Sequence, residues 1–99
     1  MAKVTFIALG TPDPDQSDAL KTYVEAAPKL LLAAGGVPVK RMKITETLLG
    51  EGGPATVFLM EFPSADAIKG VLASKEYQAL IPHRDKGFKQ VTFLLAEDL

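Results

Sequence analysis

Short apolar runs and apolar stripes at helical spacing alternate along this chain and predict four strands and two helices. The strands are predicted over residues 4–9, 37–49, 56–62 and 91–95, where β-branched and aromatic residues are frequent. The first helix is predicted from a stripe formed by Leu20, Tyr23, Val24, Ala27, Leu31 and Ala34. The second helix is predicted from the stripe of Ala65, Ile68 and Leu72, followed by a helical piece that begins at Ser74 and ends before Pro82. The order of elements is therefore β-α-β-β-α-β.

Capping and turn residues stand at the boundaries that this pattern implies. The predicted helix caps are the side chains of Asp15, Ser17, Asp18, Ser64 and Ser74. Gly35 and Gly36 are expected to end the first helix. Residues 50–54, Gly-Glu-Gly-Gly-Pro, are expected to form the turn of a hairpin between the second and third strands. Residues 1–99 are thus predicted to form a single domain.

The order β-α-β-β-α-β is that of the ferredoxin-like fold, an α+β sandwich in which two helices cover one face of a four-stranded antiparallel sheet. The other face of such a sheet is expected to be polar in a protein that acts alone. Here the first and third strands place apolar residues on both faces. Val4 and Phe6 alternate with Ile7 and Leu9, and residues 57–60 are all apolar. The sequence therefore predicts two buried sheet faces but supplies helices for only one.

A second copy of the chain is the simplest cover for the remaining face. Four strands spaced about 4.8 Å apart and roughly six residues long present about 400 Å² of surface. This lies within or above the roughly 300–600 Å² of the largest apolar patch on a typical monomer. We therefore expect a homodimer that pairs through the sheet face.

Composition and charge narrow the class of protein further. Eleven basic and twelve acidic residues give a formal net charge of −1, and no basic stripe is present, so nucleic-acid binding is not expected. The absence of cysteine and the single histidine argue against thiolate chemistry and against metal centres built on cysteine or on several histidines. The apolar N-terminal run is too short for a signal peptide or a membrane span. We expect a cytoplasmic protein with no bound cofactor, no metal and no membrane partner.

Several motifs resemble the domain of unknown function 1330 family across nearly the whole chain. They are Glu-Phe-Pro-Ser at 61–64, Ser-Lys-Glu-Tyr-Gln-Ala-Leu at 74–80, Arg84, Tyr23, Ala-Ala-Pro at 26–28 and Gly-Gly at 35–36. The resemblance implies the dimeric α/β-barrel superfamily, in which two ferredoxin-like sheets pack into a shared barrel. That superfamily includes cofactor-free monooxygenases, haem enzymes, isomerases and ligand binders, so it leaves the reaction open. The apolar residues between 68 and 72 are all aliphatic, where the family commonly has an aromatic residue.

A candidate site lies around His83 and Arg84, just after the second helical region and about one and a half turns beyond Tyr77. A histidine can act as a general base near pH 7, and an arginine beside it can hold a carboxylate or an enolate. The alternative is a surface turn over residues 82–87 made of solvated charges. Tyr23 either directs its hydroxyl into a pocket between helix and sheet or belongs to the core, with the hydroxyl at its rim.

Glu61 lies at the end of an otherwise apolar strand and is a second candidate base. The alternative is a structural role, as an exposed strand end or in an ion pair with Arg41 across the hairpin. The ion pair depends on the strand register, since a slip of one residue places Glu61 opposite Met42. Arg41 is accordingly a candidate ligand-binding residue or a structural partner.

Three functions remain open from the sequence. The first is a homodimer of undefined activity that binds a small molecule between helices and sheet, near Tyr23, Tyr77, His83 and Arg84. The second is a cofactor-independent oxygenase or isomerase for a small carbonyl or aromatic compound, in which His83 or Glu61 accepts a proton and Arg84 stabilises the resulting anion. The third is a structural or partner-binding dimer without a pocket.

Overall fold

One antiparallel sheet with the strand order β2-β3-β1-β4 organises the computed structural model, which describes residues 3–99. The strands are β1 (Val4–Pro12), β2 (Val37–Lys43), β3 (Thr56–Phe62) and β4 (Phe88–Ala96). The helices are α1 (Ser17–Ala33), α2 (Ala65–Ala73), α3 (Lys75–Gln78) and α4 (Ile81–Gly87), and a 3-10 turn spans Pro14–Gln16. This is the predicted ferredoxin-like α+β arrangement, with the second helical region divided into three pieces.

The register of the strands assigns each side chain to one face of the sheet. Phe6 of β1 lies opposite Met60 of β3 and Leu95 of β4, on the face that the helices cover. Ile7 lies opposite Leu59 and Leu94 on the other face, which we call the open face. The alternation predicted for β1, with Val4 and Phe6 on one face and Ile7 and Leu9 on the other, is confirmed, as expected from the period of two in a strand.

The core lies between the helices and the covered face. It is formed by Val4, Phe6, Leu31, Met60, Phe62, Ile68 and Val71. Gly36 gives β2 its close approach to this core, because a Cβ atom there would lie 2.8 Å from the carbonyl oxygen of Leu31 and 2.5 Å from the sulfur of Met60. Gly35, with φ of 95°, ends α1 in the left-handed conformation that glycine adopts most easily.

Two of the predicted helix caps are confirmed. The hydroxyl of Ser64 accepts a hydrogen bond from the backbone N–H of Ala67, and that of Ser74 accepts one from Tyr77. The start of α1 differs from the prediction. Asp13 caps the preceding 3-10 turn through the N–H of Asp15, and Gln16, which precedes α1, makes no side-chain cap.

The second strand is shorter than predicted. It ends at Lys43 rather than at residue 49, and residues 44–55 form a longer connection in place of a turn at 50–54. One further ladder bond joins the N–H of Ile44 to the carbonyl of Ala55. Beyond it the three glycines at positions 50, 52 and 53 all have positive φ, and the β-favouring residues before them have no partner strand.

The alternative that pairs Arg41 with Glu61 is wrong, and so is the register that would place Met42 opposite Glu61. Glu61 lies opposite Val37, whereas Arg41 lies opposite Phe58. An irregularity between Pro38 and Lys40 shifts the register by one residue within β2. The longer connection places the start of β2, not its middle, beside the end of β3.

The segment after Tyr77 is helical rather than a surface turn. Residues 81–87 form α4, which places His83 and Arg84 inside a helix. Pro82 was expected to end the preceding helical piece, but it stands in the first turn of α4, where a missing backbone N–H removes no helical hydrogen bond.

The molecule is thin in the direction across its two layers. The extents of the Cα positions are 39 × 34 × 17 Å, and the radius of gyration is 13.8 Å, against about 12.6 Å for a compact domain of this length. Within residues 3–99, no second layer of secondary structure covers the open face; a further layer would add about 10 Å to the thickness. Within residues 3–99, no helix is long and apolar enough to cross a membrane.

Candidate functional site

Tyr23, Tyr77 and Arg84 meet between α1, α3 and α4, and we call them the Tyr–Tyr–Arg cluster. The two hydroxyl oxygens are 2.7 Å apart, and Nη1 of Arg84 donates a hydrogen bond of 3.2 Å to the hydroxyl of Tyr77. Nε of Arg84 donates to the carboxylate of Asp85 at 3.1 Å. Three of the residues predicted to bind a ligand are thus adjacent in the structure, although Tyr23 and Tyr77 are 54 positions apart in the sequence.

Local backbone features place the three side chains. The Ser74 hydroxyl caps α3 through the N–H of Tyr77 and donates a hydrogen bond of 2.6 Å to the carbonyl of Val71, which links α3 to the end of α2. The close packing of α4 on α1 depends on Gly87, because a Cβ atom there would lie 2.8 Å from the backbone of Leu20. Arg84 therefore lies within reach of the tyrosines because α4 approaches α1 at a residue without a side chain.

Aromatic rings surround the polar groups of the cluster. The ring of Tyr23 makes edge-to-face contacts with Tyr77 and Phe88, at centroid distances of 6.1 and 5.9 Å. The guanidinium carbon of Arg84 lies 5.8 Å from the ring centroids of both Tyr77 and Phe93. The cluster therefore combines a cation and two hydroxyl groups with aromatic walls.

The surroundings of Tyr23 and Arg84 favour the protonated form of both side chains. Burial, and then the hydrogen bond to Tyr77, raise the pKa of Tyr23 far above its usual value. Burial disfavours the charge on Arg84, but hydrogen bonds to Tyr77 and Asp85 outweigh it and raise the guanidinium pKa. The cluster thus presents the neutral hydroxyl of Tyr23 close to the positive charge of Arg84. Tyr77 is 1% exposed, whereas the side chain of Arg84 is 21% exposed, so Arg84 is accessible to solvent and Tyr77 is not.

The other predicted site residues lie apart from the cluster. His83 is half-buried on α4 next to Arg84, and its ring makes no side-chain hydrogen bond within residues 3–99. Glu61 lies opposite Thr5 on the open face, so the sheet separates it from Arg84. Arg41 is exposed on β2, the edge strand. Within one protomer, neither of these two can act on a small molecule held by Arg84.

Two shallow concavities lie outside the cluster. One, of about 120 Å³, lies at the end of the open face between β1, β4 and the connection after β2. The other, of about 550 Å³, is a wide groove between α1 and α3 that is lined in part by Glu25, Lys29 and Glu76. In the described part of the chain, no group of three histidine, cysteine or acidic side chains is placed to hold a metal ion.

Sequence reasoning missed three residues that complete the surroundings of the cluster. Asp85 adjoins Arg84 in the sequence, and an acidic neighbour is a signal that could have been used. Phe93 lies in the predicted last strand, but its contact with Arg84 depends on how α4 crosses β4. The close packing of Gly87 on Leu20 leaves no local pattern in the sequence.

The fold and this cluster define an α+β domain of the ferredoxin-like class with a polar cluster at one end of its helical layer. Residues 7–98 match the model of the domain of unknown function DUF1330, and the chain belongs to that family. The predicted family is thereby confirmed. No curated protein matches the chain significantly.

Solved structures from several bacteria share the fold at low sequence identity. A protein of unknown function from Rhodopseudomonas palustris, RPA0582, is 18% identical over 99% of this chain and 83% of its own, with a TM-score of 0.82. A dimeric protein of unknown function with a ferredoxin-like fold, from Bacteroides fragilis, is 17% identical over 99% of this chain and 98% of its own, with a TM-score of 0.63. SnoaB, a cofactor-independent oxygenase from Streptomyces nogalater, is 13% identical over 100% of this chain and 95% of its own, with a TM-score of 0.70.

Proposed function

We propose that this protein is a homodimer that binds a small molecule at the Tyr–Tyr–Arg cluster, between its helices and its sheet. The observation that carries the proposal is the convergence of three polar side chains from separate elements at the edge of an apolar layer. A buried arginine used only for structure is normally satisfied by protein acceptors. Arg84 instead remains partly exposed, with its guanidinium between two aromatic rings. Small-molecule sites typically combine apolar walls with a few such polar groups.

The open face supports the homodimer. It carries Ile7, Leu9, Val57, Leu59 and Leu94, of which Leu94 is 46% exposed. Each such side chain contributes about 1.5–3 kcal/mol when it is fully buried, so a contact between two open faces is strongly favoured. The neighbour from Bacteroides fragilis is described as dimeric. In this arrangement two sheets face each other and the two clusters lie on the outer, helical sides.

Sedimentation velocity over a range of protein concentrations tests the assembly. We expect one species with the mass of two chains at micromolar concentration, giving way to a single chain on dilution. A single chain at all concentrations up to the millimolar range would contradict the homodimer, without affecting the ligand site within the protomer.

A thermal-shift screen with a chemically mixed library tests the binding function. A ligand at 100 times its dissociation constant stabilises the folded state by about 2.7 kcal/mol, which raises the melting temperature of a domain of this size by several degrees. We expect the shift to be lost when Arg84→Gln replaces the wild type and retained in Lys86→Gln, which removes the same charge from an exposed position of α4. Ligands whose shifts survive Arg84→Gln would place the site elsewhere. A library with no stabilising compound would favour the structural dimer without a pocket.

A second candidate is cofactor-independent oxygenase or isomerase chemistry, favoured by the fold shared with the oxygenase from Streptomyces nogalater. In this version Arg84 stabilises an anionic intermediate and His83, the preceding residue of α4, accepts a proton. Oxygen uptake by the purified protein with each compound found in the screen tests it. Turnover that falls at least tenfold in His83→Ala would support this version, and binding without oxygen uptake or isomerisation would leave the first proposal in place.

A further inference from the structure

Several hydrogen-bond donors of the Tyr–Tyr–Arg cluster have no acceptor within residues 3–99. A guanidinium has five N–H groups and no acceptor. One N–H on Nε is used by Asp85, and one on Nη1 is used by Tyr77. Three N–H groups of Arg84 therefore have no acceptor within residues 3–99.

The two tyrosines add a fourth unused donor. The hydroxyl of Tyr77 already accepts a hydrogen bond from Arg84, and the hydroxyls of Tyr23 and Tyr77 share one hydrogen bond. Whichever of the two hydroxyls donates in that shared bond, the proton of the other has no acceptor in the described residues. The donor left over lies within one or two hydrogen bonds of the guanidinium.

From this excess we infer that the cluster binds the oxygens of a small organic acid, as a carboxylate or an enolate. The inference rests on the proposed function and names its ligand class. A carboxylate presents two oxygens and about four lone-pair sites, which match the forked N–H groups of arginine and one neighbouring hydroxyl. An ammonium or another cation would meet the positive charge of Arg84, which the exposed carboxylate of Asp85 only partly offsets. A neutral amide would have to place its own N–H₂ among donors.

The rest of the site agrees with an acid that carries an apolar or aromatic body. The rings of Phe93, Tyr77 and Phe88 contact Arg84 or Tyr23, and within residues 3–99 the acidic side chain that contacts Arg84 is that of Asp85. Its side chain is 60% exposed, so Asp85 only partly screens the guanidinium. The geometry therefore favours an aromatic carboxylic acid over a small hydrophilic acid such as acetate.

Benzoate and benzamide are the probes, since they share a ring and differ in charge at the group that the cluster would hold. Binding is followed by the NMR signal of the Arg84 Nε–H group and by backbone signals of Tyr23 and Tyr77. We expect saturable shifts with benzoate and binding at least tenfold weaker with benzamide. Acetate should shift the same signals at higher concentration.

Matched variants test whether benzoate binds at the cluster or is attracted non-specifically by positively charged side chains. Arg84→Gln should weaken benzoate binding at least tenfold, as expected for a charge-assisted hydrogen bond, whereas Lys86→Gln should change it less than twofold. Tyr23→Phe retains the ring and should weaken benzoate binding about threefold to tenfold. If Arg84→Gln unfolds, Arg84→Lys, which keeps the charge but loses the fork, should still weaken benzoate more than acetate.

The outcomes separate this inference from the proposed function. Equal binding of benzoate and benzamide at the cluster would overturn the acid and leave a small-molecule site. Benzoate binding that Arg84→Gln leaves unchanged would overturn the assignment to this cluster. The remaining outcome is that benzoate and acetate cause no saturable shift even at concentrations about 50-fold above the millimolar dissociation constants typical of such small probes. If neutral library compounds bind under the same conditions, the ligand class is wrong and the binding function stands.

Discussion

At the scale of single residues, Tyr23 is the side chain whose protonation the fold changes in a way that alkaline titration can detect. Burial first, and then the hydrogen bond to Tyr77, raise its pKa. In the unfolded chain a tyrosine releases its proton near pH 10. Above that pH the unfolded state therefore loses a proton that the folded state keeps, and the folded state loses stability as the pH rises.

Replacement of Tyr23 by phenylalanine should flatten this alkaline loss. We expect the free energy of unfolding of the wild type to fall above pH 10 more steeply than that of Tyr23→Phe, by at most about 1.4 kcal/mol per pH unit. Below pH 9 the variant should be less stable by about 0.5–1.5 kcal/mol, the usual net value of one hydrogen bond. Urea midpoints at pH 8, 10 and 11 measure both effects. Parallel slopes for the two proteins above pH 10 would mean that Tyr23 titrates normally.

Gly36 is closely surrounded by other atoms and Gly70 is not, so substitutions by alanine at the two positions can be compared. At Gly36 a Cβ atom would lie within 2.8 Å of Leu31 and of Phe62, whereas at Gly70 nothing lies within 4 Å. Gly36→Ala should therefore lower the free energy of unfolding by about 1–3 kcal/mol through overpacking. Gly70→Ala, in the middle of α2, should raise it by about 0.5–1 kcal/mol. Thermal melts of the two variants should shift in opposite directions, and a stable Gly36→Ala would show that β2 is looser than described.

At the scale of elements, the break between α2 and α3 positions Tyr77 in the cluster. The Ser74 hydroxyl joins the two helices and caps the one that carries Tyr77, whereas Ser64 caps the start of α2. Either serine replaced by alanine should cost about 0.5–2 kcal/mol of stability. Only Ser74→Ala should also move Tyr77 relative to Arg84. The NMR signal of Arg84 Nε–H should therefore shift in Ser74→Ala and remain in place in Ser64→Ala; a shift in both would indicate general loosening.

The elements also show where sequence reasoning succeeds and where it stops. The faces of β1, β3 and β4 are predictable because side chains alternate with a period of two and a slip would expose Phe6 and Met60. The exposed edge strand β2 has no such constraint. Its irregularity after Pro38 and its early end were not predictable, and the pairing of Arg41 with Glu61 was wrong for that reason.

The sequence predicted which residues form the cluster, but not how their side chains are arranged. Tyr77 and Arg84 are seven residues apart and were expected to be near each other, just after the second helical region; the structure places Arg84 in α4. That Tyr23 joins them depends on how α1 crosses the sheet, which no local pattern records. His83 and Arg84 are neighbours in sequence, but successive helical residues point about 100° apart. Only Arg84 takes part in the cluster.

At the scale of the whole molecule, the open face is predicted to form the dimer interface. A leucine on another surface with similar exposure provides the control for the general effect of removing an exposed apolar side chain. Leu94 on the open face is 46% exposed, and Leu32 on the outside of α1 is 50% exposed. The two leucines have nearly equal exposure and differ in the surface on which they lie. Lysine at either position adds the same charge and removes the same apolar side chain.

Leu94→Lys should dissociate the homodimer, and Leu32→Lys should not. In a two-fold assembly each substitution occurs twice, so the loss of two buried leucines costs about 3–6 kcal/mol, which raises the dissociation constant at least a hundredfold. Sedimentation equilibrium of the two variants beside the wild type measures the difference. Leu94→Lys should also make the melting temperature independent of protein concentration, because unfolding is then no longer coupled to dissociation. Two variants with the dissociation constant of the wild type would mean that any self-association uses a surface other than the open face.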